Sequence, residues 1–402
     1  MLDRLSPFAD LEAAYQQSSQ FTNPWENKRL QQLLKERGLF WEKYQDEVFN
    51  LFRKWTDDQA LVESIQFEDN GRVVVAGDLA LTNIEYFPSL IRRVGGKLSI
   101  NSPHQNLHQL DFLEEVGSLE LKQCQQIKSF ESLKKVNGNL NIMESGIVSL
   151  PSLVEIDGAL LAVSLKNFKS LPVLEKAGSI NLTDSGITNL SSLKYVDGFL
   201  ALDDTRIQAV PNLEVVKNDL TAINAVNLAD LSSLCFVGGI LKVVSKVLEE
   251  LPNLEEVELS FVVEGSENFS SAPKLKRVGY DVSLFGTRLT GLPALVTVGG
   301  NLAATGVKTL TDFSQLKTVG SNMLIGGTSL NQLPNLEEIG VSLNLGRLAE
   351  NGFAQFFPQL VSIGQDKIGN SVYCSPFTVI EEVRELRANG KIDYPGRVVF
   401  HE

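Results

Sequence analysis

Along most of this chain the apolar residues keep neither the 3.6-residue period of a helix nor the simple alternation of a long strand. They recur in blocks of about 20 to 21 residues. Residues 190–210 read LSSLKYVDGFLALDDTRIQAV, residues 292–310 read LPALVTVGGNLAATGVKTL, and residues 313–333 read FSQLKTVGSNMLIGGTSLNQL. The shared pattern is L-P/S-x-L-x-x-V-x-G-x-L-x-L-x-x-T/S-x-I-x-x-L. A fixed period of this length marks a stacked repeat architecture. Its leading apolar position runs through Leu110, Phe130, Leu150, Leu171, Leu190, Val210, Leu231, Leu251, Ala272, Leu292, Phe313 and Leu333, with weaker copies from Phe87 to Phe357. About fourteen strand lines fall between Leu79 and Leu345, against the roughly three repeats a solenoid needs.

Each part of the pattern predicts a piece of structure. The L-x-L pair, such as Leu200 and Leu202, alternates inward and outward as a short half-buried strand does. Stacked copies give one parallel sheet, which at about 4.8 Å per strand would be about 65 Å long. The V-x-G before it, as in Val196-Asp197-Gly198, is expected to be a tight turn in which glycine takes a positive φ. Proline after the leading apolar residue (Pro151, Pro172, Pro293) opens a return segment too short for a long helix.

The ends lose the repeat and predict lids for the stacked core. Residues 1–70 read as a helical N-terminal cap, with Trp41, Tyr44, Val48, Leu51, Phe52 and Trp55 near helical spacing. It closes with a β-hairpin made of Ile65–Phe67, Asp69-Asn70-Gly71 and Val73–Val75. Residues 71–365 form the solenoid. Residues 366–402 read as a helix–strand cap. There Ser375-Pro376 opens a helix of about twelve residues, Thr378 and Glu381 have capping-box spacing, Asn389-Gly390 stops it, and Arg397–Phe400 is strand-like.

Over roughly residues 72–363 this pattern resembles leucine-rich-repeat proteins, and its V-x-G-x-L-x-L-x-x-T/S-x-I rhythm is similar to the variant in receptor L-domain-like proteins. The usual family carries Asn or Cys after the strand. This chain has Cys124, Ser145, Ser185, Thr205, Thr287 and Thr328 there, whose hydroxyls can bond locally to backbone. The resemblance implies a leucine-rich-repeat solenoid, and with the short returns and the end segments read above the expected fold is an α/β repeat: a single-stacked leucine-rich-repeat solenoid with a parallel β-sheet face, short non-helical return segments and helical caps at both ends. It also implies recognition of a protein or ligand on the sheet face, and it carries over no catalytic residue.

Composition narrows the classes. The apolar fraction of 43% supplies a continuous core, and the formal net charge of −13 without a basic patch argues against nucleic-acid binding. Three scattered cysteines build no disulfide framework and suit a reducing compartment. The first residues lack the pattern of a signal peptide, and no apolar run reaches the roughly 18 residues of a membrane span, so the expectation is a cytoplasmic protein. Sequons at Asn181, Asn189 and Asn268 are the only residues favouring an exported one.

No catalytic or cofactor constellation emerges. His104 and His108 share a loop with Pro103 and lack a carboxylate motif, so they make a poor metal pair. Gly300 to Lys308 imitates a phosphate loop, but Val307 separates Gly306 from Lys308. Cys124 occupies a structural column without a histidine beside it. What remains is the outward residue of each L-x-L: Ala80, Ser99, Glu120, Asn141, Leu161, Asn181, Ala201, Thr221, Lys242, Ser260, Ser283, Ala303, Leu324 and Asn344. This column is small and polar, with few of the aromatic anchors that interfaces use. Together with acidic residues beyond the strand ends, it gives a candidate partner-binding set of Glu120, Asn141, Asn181, Asp184, Asp203, Asp204 and Lys242. The expected function is non-catalytic recognition of another protein, without cofactor, metal or membrane span. The alternatives are an exported or cell-surface recognition protein, and an enzyme with its chemistry in a terminal segment.

Overall fold

The computed structural model describes residues 45–46, 48–50, 52–53, 62–63, 65–67, 72–84, 91–104, 110, 112–349, 352–364, 371–374, 377–393 and 397–400. The chain divides into two compact units, residues 1–158 and 159–402. Each is a parallel β-solenoid of turns about 20 residues long, and its described part is mostly sheet.

In the first unit, Ile65–Phe67 pairs antiparallel with Val73–Val75, as the hairpin pattern predicts. The turn Asp69-Asn70-Gly71 lies outside the described residues. Val73–Val75 then pairs in parallel with Ile91–Val94, which starts the stack. Leu79–Thr82, Ile91–Asn101, Glu115–Lys122 and Leu140–Asn141 follow in register, Leu79 beside Leu98, Leu98 beside Leu119, and Leu119 beside Leu140. Of the helical stretch Leu39–Trp55, the described positions 45–46, 48–50 and 52–53 are helical, with Val48 and Phe52 buried one turn apart. Trp41, Tyr44, Leu51 and Trp55 lie outside the described residues.

In the second unit, each turn contributes to three parallel lines. Tyr195–Val196 pairs with Lys176–Ala177 and with Val215–Val216. Leu200–Ala201 pairs with Ile180–Asn181 and with Leu220–Thr221. Ala209 bridges Asn189 and Asp230 on the return side. The expected leading column is buried throughout, from Leu171 to Leu333, and so are the inward strand residues on either side of each outward one. Ser371–Cys374 pairs with Leu343–Gly346, and Arg397–Phe400 pairs with Ser371–Cys374, so paired strands continue past residue 365. The predicted helix spans Phe377–Ala388 and buries Val379, Ile380 and Val383. It stops where expected, with Gly390 at φ 67° and Lys391 N–H donating to Leu386 O. Ser375-Pro376 and the Thr378 side chain lie outside the described residues. From this helix the Glu382 carboxylate accepts the N–H groups of Phe353 (2.7 Å) and Ala354 (3.0 Å), supplying the start of the short helix Phe353–Phe356 with acceptors that Gly352 cannot. Among the described residues, no helix is long and apolar enough to cross a membrane.

The V-x-G segment is not the positive-φ turn that its glycine suggested. It is a strand in its own right, continuous with L-x-L in Lys176–Asn181 and separated from it by a bend at Asp197-Gly198. From Gly95 to Gly340 none of its glycines has a positive φ, and Gly364, in the last such turn, is the exception at φ 73°. Their reason is crowding: a Cβ on Gly299, Gly320 or Gly340 would lie within 3 Å of the carbonyl of the matching glycine one turn earlier. Positive φ falls instead on a column just after the strand, at Ser164, Asp184, Asp204, Asn224, Gly265, Gly286, Gly306 and Gly327. Asp, Asn and Gly are the residues that enter that conformation most readily.

The two kinds of glycine should respond differently to substitution. Gly299→Ala forces a steric shift between turns and is expected to cost about 1–3 kcal/mol. Gly306→Ala, which meets nothing within 4 Å, is expected to cost only the φ penalty of about 1–2 kcal/mol. Urea unfolding checks the contrast, and Gly306→Asn should recover part of the second loss but Gly299→Asn none of the first.

Candidate functional site

The outward face of the strands is the broad surface that the repeat leaves free, and its side chains come from known columns. In the second unit each row presents a residue before the strand, the middle residue of L-x-L and a residue just after it. Register fixes the middle column as Asn181, Ala201, Thr221, Lys242, Val262, Ser283, Ala303, Leu324 and Asn344. One expected member moves: Lys242 stands beside Val262, not Ser260.

Ser260 belongs to a second column, one residue before the strand, that sequence reasoning missed. Side chains there accept the N–H of the corresponding residue in the next turn. In the first unit, Asp78 Oδ1 accepts from Lys97 N (2.7 Å) and Ser118 Oγ from Asn139 N (3.0 Å). In the second, Ser179 accepts from Phe199 (3.3 Å), Asp219 from Ile240 (2.7 Å), Asp281 from Asn301 (2.7 Å) and Asn301 from Asn322 (3.1 Å). These bonds form where the bend interrupts regular pairing. The column after the strand behaves locally instead, as its Ser and Thr residues suggested. Thr205, Thr287 and Thr328 donate Oγ1–H to the carbonyl three residues back, at 2.7, 2.8 and 2.9 Å.

The candidate partner-binding residues fall in both units. In the first, Glu120 lies between Lys97 (2.6 Å) and Lys122 (3.0 Å), whose hydrogen bonds hold its carboxyl below the usual range, Lys97 first. Asn141 Oδ1 accepts the N–H of Met143 (3.2 Å). In the second, Asn181 does the same for Thr183 (3.1 Å). Asp184 and Asp204 occupy the positive-φ column; Lys166 and Ser164 bind the first, and Asn224 Nδ2 donates to the second (3.1 Å). Asp203 accepts from Thr221 Oγ1 (3.0 Å) and Ile223 N (2.7 Å). Lys242 stands on the open strand face. The acidic residues are thus engaged in holding consecutive turns together, a role that their conformation and partners explain.

The exposed apolar residues have no such explanation. Among the described residues after position 158, the exposed aromatic side chains are Phe199 (37%), Tyr280 (58%) and Phe285 (58%), all at the borders of the strand face. Leu259 (47% exposed) sits one turn before Tyr280, in the same column. Half-buried Ile223, Val244, Val262 and Leu324 continue the apolar surface between them. Tyr280 and Phe285 flank Ser283 in one row, about 16 Å apart at 3.3 Å per residue. Ionic side chains are sparse on the face from residue 178 to 346, and four of the five are acidic: Asp203, Asp219, Glu264 and Asp281, against Lys242.

Other candidate chemistry resolves into structure. Cys124 is buried and donates Sγ–H to Lys122 O (3.1 Å), and burial pushes its thiol up. Burial raises Cys374 to about 11 and raises Cys235 as well. His104 has its own N–H near Ser102 Oγ (3.4 Å), while His108 lies outside the described residues. Gly300 packs against Asp281, and Gly306 serves the turn at φ 74°, so the phosphate-loop likeness comes from the repeat. A cleft of about 180 Å³ near Arg347, Asn331 and Gln355 holds no cluster of titratable groups. Among the described residues no group of three His, Cys, Asp or Glu is placed to hold a metal ion. No protein-family model matches the chain, and no curated protein matches it at significant similarity.

Two measurements follow from the hydrogen bonds. Asp281→Ala strips the acceptor from Asn301 N and Nδ2 and is expected to cost about 1–3 kcal/mol, with Asp281→Asn recovering part of it. Glu120 has a folded-state pKa below its unfolded value, so its ion pairs stabilise above about pH 4 and are lost as pH falls through the folded value. Glu120→Gln is therefore expected to lower stability at neutral pH and to have little effect in acid. An equal effect at both, by urea unfolding, would show that the ion pairs contribute nothing.

Proposed function

We propose that the chain is a leucine-rich-repeat protein, helix-capped at its ends, whose outward strand face in the second unit binds another protein without catalysis. The repeat length, the L-x-L strands and the short returns support the family reading. The observation that carries the functional reading is the exposure of Leu259 and Tyr280 on one border, and of Phe285 on the other, of an otherwise plain face. Large apolar side chains grouped on a surface mark interaction sites, and aromatic anchors dominate the energetics of most interfaces. The sparse ionic groups of this face bond backbone N–H, hydroxyl and amide groups and give no acid–base pair to set beside them, and burial raises the cysteine thiols.

The test is affinity capture with the full-length chain and a Tyr280→Asp, Phe285→Asp variant. Because both side chains are exposed, the variant should fold with a melting midpoint close to the parent's. It should lose the captured partner, with each anchor contributing about 2 kcal/mol or more. An unchanged set of captured proteins would overturn the reading.

A further inference from the structure

We propose, resting on that reading, that the occupant of this face is an extended segment of a partner protein that alternates apolar side chains with lysine or arginine. The apolar half of the argument is the surface itself. Leu259 and Tyr280 form one exposed edge, Phe285 the other, and Val262 and Ser283 the floor between them. A floor of Val, Ser and Ala leaves room for a backbone to lie close, with its side chains reaching the flanking rings. Neighbouring rows stand about 4.8 Å apart, so the Leu259 and Tyr280 rows together span only a few residues of an extended chain.

The charged half comes from what borders that surface. Glu264, exposed at the end of the Val262 row, accepts one hydrogen bond from Ser283 Oγ (3.2 Å) and keeps the rest of its acceptor capacity. Glu258 is exposed immediately before Leu259. Asp281 accepts from Asn301, and its charge also falls within this border. The nearest cation on the face is Lys242, one row before Val262, and the exposed Arg277 three residues before Tyr280 is paired with Glu256. Complementary charge selects partners and speeds their encounter more than it adds affinity, and here it selects cations. A second copy of this chain is the poorer occupant. It would bring the same acidic border and a formal charge of −13 against itself.

The test is selection of a displayed library of random peptides of about fifteen residues on the full-length chain, with hits remade and titrated against it. The expected hits combine Leu, Ile, Phe or Trp with Lys or Arg and lack Asp and Glu. Their affinity should fall at least about tenfold on Phe285→Ser, fall severalfold on Glu258→Lys, Glu264→Lys, and weaken as salt is raised. Glutamate at either position is exposed, so loss of folding is checked by circular dichroism and is not expected. Three outcomes overturn the proposal. The first is hits without basic residues that still require Phe285, which would leave the protein-binding reading standing. The second is no enriched peptide at all. The third is concentration-dependent self-association abolished by Phe285→Ser, which would make the occupant a second copy. If affinity capture also finds no partner dependent on Tyr280 and Phe285, the broader reading falls separately.

Discussion

Every turn in each unit must pass its strand N–H groups to the turn beside it at a spacing of about 4.8 Å, and most other features follow from this constraint. A buried backbone amide without a partner costs about as much as a lost hydrogen bond, so the rows cannot drift out of register. Inward positions become continuous columns of Leu, Ile, Val and Phe. Where the chain bends between V-x-G and L-x-L, regular pairing fails, and Asp219, Ser179, Asp281 and Asn301 supply acceptors from their side chains. At the same bend, Gly279, Gly299, Gly320 and Gly340 stack so closely that no Cβ fits between them. Just after the strand the backbone reverses through a left-handed residue, which is why Asp184, Asp204, Asn224 and Gly306 share a column despite their different chemistry.

Much of this was legible in the sequence, because the constraint writes itself as a period. The leading column from Leu110 to Leu333, the L-x-L strands and the Ile65–Val75 hairpin all follow from spacing alone. The errors have a common cause. A glycine in a repeat can mean a positive φ or a crowded backbone, and composition does not separate the two. Only the stacking shows that Gly299 is crowded while Gly306 is turned. The misplaced Ser260 is a register ambiguity of the same sort. In Leu259-Ser260-Phe261-Val262-Val263 both Leu259/Phe261 and Phe261/Val263 satisfy L-x-L. A slip of two residues preserves the alternation of inside and outside, so the pattern cannot choose. Pairing of Leu241 with Phe261 and of Phe261 with Val282 makes the choice.

The candidate site was less legible, for a geometric reason. Attention to the middle residue of L-x-L gave a bland face. The large side chains stand at the borders: Tyr280 two residues before the strand's first inward position, Phe285 one after its last. Those positions lie in bends, where the direction of a side chain depends on backbone angles that a periodicity does not encode. The acidic residues, by contrast, looked like a site because they cluster in sequence. Their clustering follows from the columns they occupy, since one residue type that serves a turn tends to serve the next.

A repeat protein supplies its own control for deciding which residues the fold requires. The position of Phe285 is held in other turns by Thr183, Asp203, Ile223, Val244, Glu264, Thr305 and Gly326, so the turn makes no demand for an aromatic ring there. The position of Tyr280 is held by Gly239, Leu259, Gly300, Ser321 and Val341 under the same backbone pairing, again without an aromatic ring. Each exposed ring leaves apolar surface in water that a threonine or glycine would have avoided. The ladder residues differ in the same comparison. Ser179, Asp219, Ser260, Asp281 and Asn301 recur as acceptors in their column, with Phe199 and Ile240 standing in it in two turns. Residues that the stack demands repeat along it, and residues that it merely tolerates do not. By that criterion the stack does not account for Tyr280 and Phe285, whereas it accounts for the recurring acids.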